Sequence, residues 1–292
     1  MAKMAFLGLG VMGGPMAGHL VKAGHEVVVY NRSAARAAAF ASAHGTKLAS
    51  SPADAARGAA IVCACVGEDA DIAAVASGPD GAFSGMEKGA LFIDHTTASA
   101  DIARQLGDQA AAAGLEFLDA PVSGGQAGAE SGQLTIMCGG AETAFEAAQP
   151  ALACYGARIV HMGPAGAGQL TKMVNQICIA GLLQSLAEGL NFGQQAGLDM
   201  ERVLSVISGG AAQSWQMENR GKTMVADQFD FGFALDWMRK DLRICLAEAG
   251  RNGSELPVTA LVAQFYAALS NRGLGRLDTS ALIKLLQKAD RA

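Results

Sequence analysis

The chain has 292 residues, 51% of them hydrophobic and 17% charged, with a formal net charge of −5 at pH 7. That is enough apolar material for one large domain or two, and the acidic balance excludes the usual footprint of nucleic-acid or membrane-surface binding. Met1 leads straight into an apolar strand, so no leader is expected, and no run of about 18 or more apolar residues predicts a membrane span.

A strand near residues 4–7 breaks at Gly8, Gly10 and Gly13, and a helical pattern then runs through Ala23. Glycines at this spacing, with Val11 and Met12 inside the turn, let backbone amides approach a pyrophosphate at a helix N-terminus, where the dipole favours the anion. A second strand, His25–Tyr30, ends at Asn31-Arg32-Ser33. NAD enzymes place Asp or Glu at such a position to hold the ribose 2′-hydroxyl. Here the carboxylate is missing and a guanidinium stands beside its place, which suits a 2′-phosphate. Ser33 is expected to N-cap the next helix, with Arg32 and Arg36 jointly holding a phosphate at its start. The cofactor reading is NADP(H), with NAD(H) the weaker alternative.

Further strands are predicted near 60–66, 90–94, 115–119, 133–138 and 158–161. They alternate with Ala-rich helical runs, and this argues for a doubly wound α/β sheet. The cysteines (63, 65, 138, 154, 178 and 245) form no C-x-x-C pair. Cys63 and Cys65 alternate onto one strand face, which suits packing better than metal ligation. Reduced core thiols, a cytoplasmic location and no metal site are expected. His95, beside Asp94, reads as a loop histidine rather than a catalytic base.

Asp119-Ala-Pro-Val-Ser-Gly-Gly follows a strand, where ligands of open α/β sheets bind. The Ser123 hydroxyl and the amides of Gly124 and Gly125 can cradle a small carboxylate; an ordinary turn is the alternative. Residues 163–168 (Gly-Pro-Ala-Gly-Ala-Gly) read as a flexible break. A long helix then runs from about Gln169 to Ala196, apolar nearly all round and therefore expected to be buried between domains or subunits. On it stands Lys172, with Asn175 and Gln176 three and four positions on along the same face. A lysine there is costly unless paired or lining a cavity. Helices near 199–208, 233–251, 257–272 and 278–290 complete an all-helical second domain, with boundaries expected at 1–162 and 163–292. Lys240-Asp241 is a second polar cluster on an apolar helix, and Trp215, Met217 and Trp237 read as core.

The ordered set Gly-Leu-Gly-Val-Met-Gly, Asp-Ala-Pro-Val-Ser-Gly-Gly, Gly-Pro-Ala-Gly-Ala-Gly-Gln-Leu-Thr-Lys-Met-Val-Asn-Gln and Arg-Lys-Asp-Leu resembles the β-hydroxyacid dehydrogenases. That family includes 3-hydroxyisobutyrate dehydrogenase, tartronate semialdehyde reductase and the glyoxylate/succinic semialdehyde reductases. The resemblance covers essentially the whole chain. It implies a Rossmann domain, an all-helical domain and a long interdomain helix joining them. It also implies hydride transfer between NADP(H) and a small carboxylate-bearing hydroxy acid or aldehyde, and a homodimer or homotetramer.

By position, Lys172 matches the catalytic lysine, and Ser123, Gly124 and Asn175 match substrate-holding residues. Many members carry Asn-Asn after the lysine. Asn175-Gln176 looks more like the tartronate semialdehyde reductases. Lys240 matches a lysine near the nicotinamide, Thr97 a residue beside it, and Val66-Gly67 cofactor-contacting positions where members often have Leu-Pro. Asn31-Arg32-Ser33 looks like the NADP-using members. As an ammonium, Lys172 would protonate the alkoxide that hydride transfer creates, and burial together with the Lys240 charge would favour the neutral amine for the reverse reaction. Related readings are less well matched. 6-Phosphogluconate dehydrogenases carry a histidine after the lysine, imine reductases usually replace the lysine, and a non-catalytic NADPH-binding module would be expected to lose it.

Overall fold

The computed structural model describes residues 2–287. The chain divides into two compact units, the division falling between Lys172 and Met173.

The first unit is built on nine strands: β1 (Lys3–Leu7), β2 (Glu26–Tyr30), β3 (Lys47–Leu48), β4 (Ile61–Ala64), β5 (Leu91–Asp94), β6 (Glu116–Asp119), β7 (Val122–Ser123), β8 (Leu134–Gly140) and β9 (Gly156–Gly163). Their order is β3-β2-β1-β4-β5-β6-β8-β7, with β9 also paired to β8. The strands from β3 to β6 run parallel, β8 is antiparallel to β6 and β7, and β9 is parallel to β8. Helices α1 (Gly13–Lys22), α2 (Ala34–His44), α3 (Pro52–Ala56), α4 (Asp69–Ser77), α5 (Ala82–Gly85), α6 (Ala100–Ala112), α7 (Gly125–Ser131) and α8 (Glu142–Leu152) make the crossovers. Parallel strands buried on both faces need apolar residues at successive positions. In β1, Met4 and Phe6 enter one core cluster while Ala5 and Leu7 enter the other. Cys63 joins the first cluster with Cys65 packed against it, as the alternation requires.

The seven expected strands are all present. The short β3 and β7 were not expected: two residues carry no periodicity, and both exist through pairing with β2 and β8. His95 lies in a loop, as expected, but a buried one. It is 1% exposed, beyond the end of β5.

Helix α9 (Ala167–Gln195) runs through the division and is 29 residues long, about 43 Å at 1.5 Å per residue. The glycines before it are no flexible break. A Cβ on Gly168 would lie 2.4 Å from the Met137 carbonyl oxygen, and one on Gly139 would lie 2.7 Å from the Gly168 nitrogen. They are small because the helix start seats directly on strand ends.

The second unit continues α9 and adds α10 (Met200–Ile207), α11 (Trp215–Val225), α12 (Leu235–Asn252) and α13 (Pro257–Leu269), then a 3-10 helix over Thr279–Leu285. The helix expected over 278–290 extends partly outside the described residues. Leu183, Leu186 and Leu190 of α9 enter this unit's core. On the single chain Val174, Leu182 and Phe192 of α9 are exposed, as is Cys178. Helix α11 escaped the sequence reading because its run Gln-Met-Glu-Asn-Arg-Gly-Lys is polar. It is started by Ser214, whose hydroxyl accepts from the Met217 amide. Trp215 and Trp237 are exposed rather than core, whereas Met217 is buried. Among the described residues no helix is long and apolar enough to cross a membrane, and no cluster of ligating side chains could hold a metal. All six cysteines are free thiols.

Candidate active site

The sheet order reverses at β1, which pairs with β2 on one side and β4 on the other. Such switch points open a crevice at the carboxyl ends of the strands, and the three glycines there have three different reasons. Gly8 has φ +96°, and a Cβ on it would lie 2.2 Å from the Cys65 carbonyl oxygen. A Cβ on Gly13 would lie 2.0 Å from the Gly8 oxygen, so this glycine lets helix pack on strand. Gly10 is different: a Cβ there would meet nothing within 4 Å. Its bare backbone faces open space, as a seat for a pyrophosphate requires. Val11, at the tip of the turn, is exposed. Met12 stands at the N-cap of α1, where no side chain caps the helix and no acidic residue occupies the first turn. Gly14 and Met16 donate to the Gly10 and Met12 carbonyls at 2.9 and 3.3 Å and Pro15 has no N–H, so within the first turn the Gly13 amide, together with the turn before it, is what faces an anion. These residues fit a dinucleotide.

At the end of β2, Asn31 closes the loop. Its Oδ1 accepts from the Leu9 amide at 2.9 Å, and its Nδ2 donates to the Ser33 carbonyl. Asn31 therefore shapes the glycine turn, a role the sequence reading did not give it. Ser33 occupies the N-cap position of α2, yet its side chain makes no capping hydrogen bond, contrary to expectation. Arg32 and Arg36 are both exposed, and Arg32 donates to Asp71 of α4 at 2.8 Å. Val66 donates its amide to the Thr96 hydroxyl at 3.1 Å, which links the loop after β4, Gly67 included, to the one after β5 that carries Thr97.

Lys172 is 8% exposed, and its Nζ donates to the Val122 carbonyl oxygen at 2.8 Å. The amine thus lies at the strand that leads into Ser123, Gly124 and Gly125. Both glycines have positive φ, +131° and +61°, and both are exposed at the start of α7. Two residues that the sequence reading left without a role hold the lysine's helix in place. Asp119, at the end of β6, accepts from the Gly166 amide at 2.7 Å and from the Gln169 amide at 2.9 Å. It caps the N-terminal turn of α9 with a charge-bearing group. Gln169 then reaches across, its Nε2 donating to the Thr96 carbonyl at 2.7 Å and its Oε1 accepting from the Ala98 amide at 3.1 Å. Asp119 and Gln169 are both fully buried. The first turn of α9 is thereby fastened to the loops after β5 and β6. The signal was present in Asp119 and in Gln169 three residues before the lysine, but neither shows its partners in sequence.

Burial pushes the Asp119 carboxyl up to about 6, against the pull of backbone hydrogen bonds from Gly166, Gln169 and Gly168. His95 sits behind this site. Its Nδ1 bonds the Ala120 carbonyl at 2.7 Å and its Nε2 the Tyr155 hydroxyl at 2.9 Å. A carbonyl only accepts, so Nδ1 carries the proton and Nε2 accepts from the phenol. Burial lowers this imidazole to about 4, and it is a neutral core residue. Asp94 Oδ1 accepts from the Thr96 amide.

In the helical unit, Asn175 donates to Gln176 Oε1 at 2.8 Å, and Gln176 donates to Asp241 Oδ2 at 2.6 Å. Lys240 pairs with Asp241 at 3.1 Å and lies over the Trp237 ring. Gln176 is 2% exposed with its amide directed at Asp241 and the Met238 sulfur. It orients its neighbours rather than presenting donors outward. The polar cluster expected at Lys240-Asp241 is an ion pair, with both side chains largely buried.

Comparison with known proteins agrees with this layout. Residues 3–163 match the NAD binding domain of 6-phosphogluconate dehydrogenase, and residues 166–286 match the family described as NAD-binding of NADP-dependent 3-hydroxyisobutyrate dehydrogenase. The chain is 58% identical over 289 residues to an uncharacterized oxidoreductase of Shewanella frigidimarina, covering 99% of each chain. It is 39% identical to a probable 3-hydroxyisobutyrate dehydrogenase-like protein of Arabidopsis thaliana, covering 98% of this chain and 85% of that one. The solved 3-hydroxyisobutyrate dehydrogenase of Mycobacterium tuberculosis with L-serine superposes with a TM-score of 0.90 at 31% identity, covering 98% and 99% of the two chains.

Proposed function

The chain belongs to the 3-hydroxyisobutyrate dehydrogenase-like family of NAD(P)-binding oxidoreductases, and from that premise we propose that it interconverts a small 3-hydroxy acid and its semialdehyde, with Lys172 as general acid and base. NADP(H), when bound, accepts or supplies the hydride. The glycine turn and the Gly13 amide at the start of α1 hold its pyrophosphate, and Arg32, Arg36 and the uncapped start of α2 hold its 2′-phosphate.

One observation carries the reading: a buried lysine amine hydrogen-bonded at the strand that opens into Ser123-Gly124. The Ser123 hydroxyl and the Gly124 and Gly125 amides anchor the substrate carboxylate. Anchoring sets the carbonyl in reach of the amine, a positioning effect worth several kcal/mol of barrier. In reduction, negative charge grows on the carbonyl oxygen and the Lys172 ammonium donates a proton to it. In oxidation, the neutral amine removes the hydroxyl proton. The substrate class is the short aldehyde acids and their hydroxy acids, tartronate, succinic and methylmalonate semialdehydes and glyoxylate among them. The acting form is a homodimer or homotetramer. Val174 and Leu182 of α9, and Val258 and Leu261 of α13, leave apolar area exposed for a second copy to cover.

A panel of these acids, assayed by the near-ultraviolet absorbance of NADPH, tests the reading. Lys172→Ala is expected to bind NADPH as before and to lose about 10² to 10⁴ in turnover. Near-normal turnover would remove Lys172 from the mechanism.

A further inference from the structure

The guanidinium best placed for a 2′-phosphate is already engaged. Arg32 Nη1 lies 2.8 Å from Asp71 Oδ1, and the two partners differ in freedom: the arginine side chain is 88% exposed, the aspartate 30%. Asp71 belongs to α4, which is seated by the fully buried Ile72 and Ala76. The start of α4 is tied down further by Asp69, whose Oδ1 accepts from the Ser99 amide at 2.8 Å. The carboxylate is therefore held by its helix, and the long arginine reaches to it. The rest of the neighbourhood favours an anion: Arg36 is exposed, the α2 start is uncapped, and no acidic residue occupies the first turn of α2. Asp71 is the carboxylate in direct contact with the phosphate-facing cation.

We propose that Asp71 is a specificity-determining residue of the dinucleotide site, competing with a 2′-phosphate for Arg32 and so moderating the preference for NADP(H) over NAD(H). The inference rests on the dinucleotide reading above. A ligand lacking the 2′-phosphate leaves the ion pair undisturbed. A ligand carrying it must draw Arg32 away from Asp71, and this weakens binding. The effect is electrostatic and solvent-exposed, hence modest and screened by salt.

The test is isothermal titration of the full-length protein with 2′,5′-ADP and with 5′-AMP, and separately with NADPH and NADH. Asp71→Asn removes the charge and keeps the side chain's size. Its expected result is affinity for 2′,5′-ADP and NADPH raised about threefold to tenfold, with 5′-AMP and NADH unchanged. The gain should shrink between about 20 mM and about 500 mM salt, and it should vanish when Arg32→Ala is added. Equal gains for both nucleotide classes, no gain at all, or a gain that survives Arg32→Ala would each overturn the inference while leaving the dinucleotide site standing. A wild-type protein that binds none of the four ligands would overturn the dinucleotide reading, and the inference with it.

Discussion

Two buried groups of the sheet unit are expected to titrate in opposite senses, and stability in mild acid should record both. His95 stays neutral down to about 4, against 6.5 for an unperturbed imidazole. As pH falls between those values the unfolded chain gains a proton there that the folded chain does not, so the fold loses stability. Asp119 holds its proton up to about 6, against 3.8 unperturbed. Over nearly the same window the folded chain gains a proton that the unfolded chain lacks, so the fold gains stability as pH falls. At about 1.4 kcal/mol per pH unit, each contribution comes to about 3 kcal/mol. In the wild type they offset one another.

Single substitutions should separate them. His95→Gln leaves Asp119 unopposed, and stability relative to wild type should rise by about 3 kcal/mol as pH falls from about 6.5 to about 4. Asp119→Asn leaves His95 unopposed, and relative stability should fall by about as much. Urea titrations followed by far-ultraviolet circular dichroism, at fixed protein concentration and stepped pH, supply the curves. The other carboxylates are common to all three chains and cancel in the differences. Both variants will be less stable in absolute terms, since each loses buried hydrogen bonds, but the readout is slope. Three parallel curves would refute a neutral imidazole and a protonated carboxyl at these positions.

The glycine turn supplies a second contrast. Gly10→Ala adds a methyl where the protein has nothing within 4 Å, so thermal stability should hold while NADPH binding weakens. Gly13→Ala drives a methyl against the Gly8 carbonyl and should lower the melting temperature by several degrees. Equal stability of the two variants would contradict the roles assigned. Arg32→Asp replaces the phosphate partner with a repelling charge and should shift the NADPH-to-NADH affinity ratio toward NADH. An unmoved ratio would make Arg32 a bystander.

Much of this was legible in sequence because backbone chemistry fixes it. Gly8, Gly10 and Gly13 follow from the turn itself, and the apolar strands follow from burial on both faces. Lys172 was legible because a cation on an apolar helix demands an explanation. Less visible were properties that depend on which distant residue arrives alongside. The 163–168 glycines looked loose, since sequence cannot show a carbonyl at Met137 waiting beneath Gly168. The part Asn31 plays in shaping the glycine turn was hidden, since its bond to the Leu9 amide needs β1 and β2 side by side. Gln176 was legible only as an amide on the lysine's helix face, because its partner Asp241 lies 65 residues on. The pairing of Arg32 with Asp71, 39 residues away, was hidden for the same reason.

Asp119 and Gln169 fasten the opening turn of the lysine's helix to the same strand-end loops that carry Thr97 and Ser123. Lys172 and the Ser123-Gly124 turn proposed as a carboxylate cradle therefore share one frame, whose alignment is set by two fully buried side chains and the backbone groups they bond. Loss of either side chain should therefore loosen the lysine's turn even where the glycine turn and the strands stay intact.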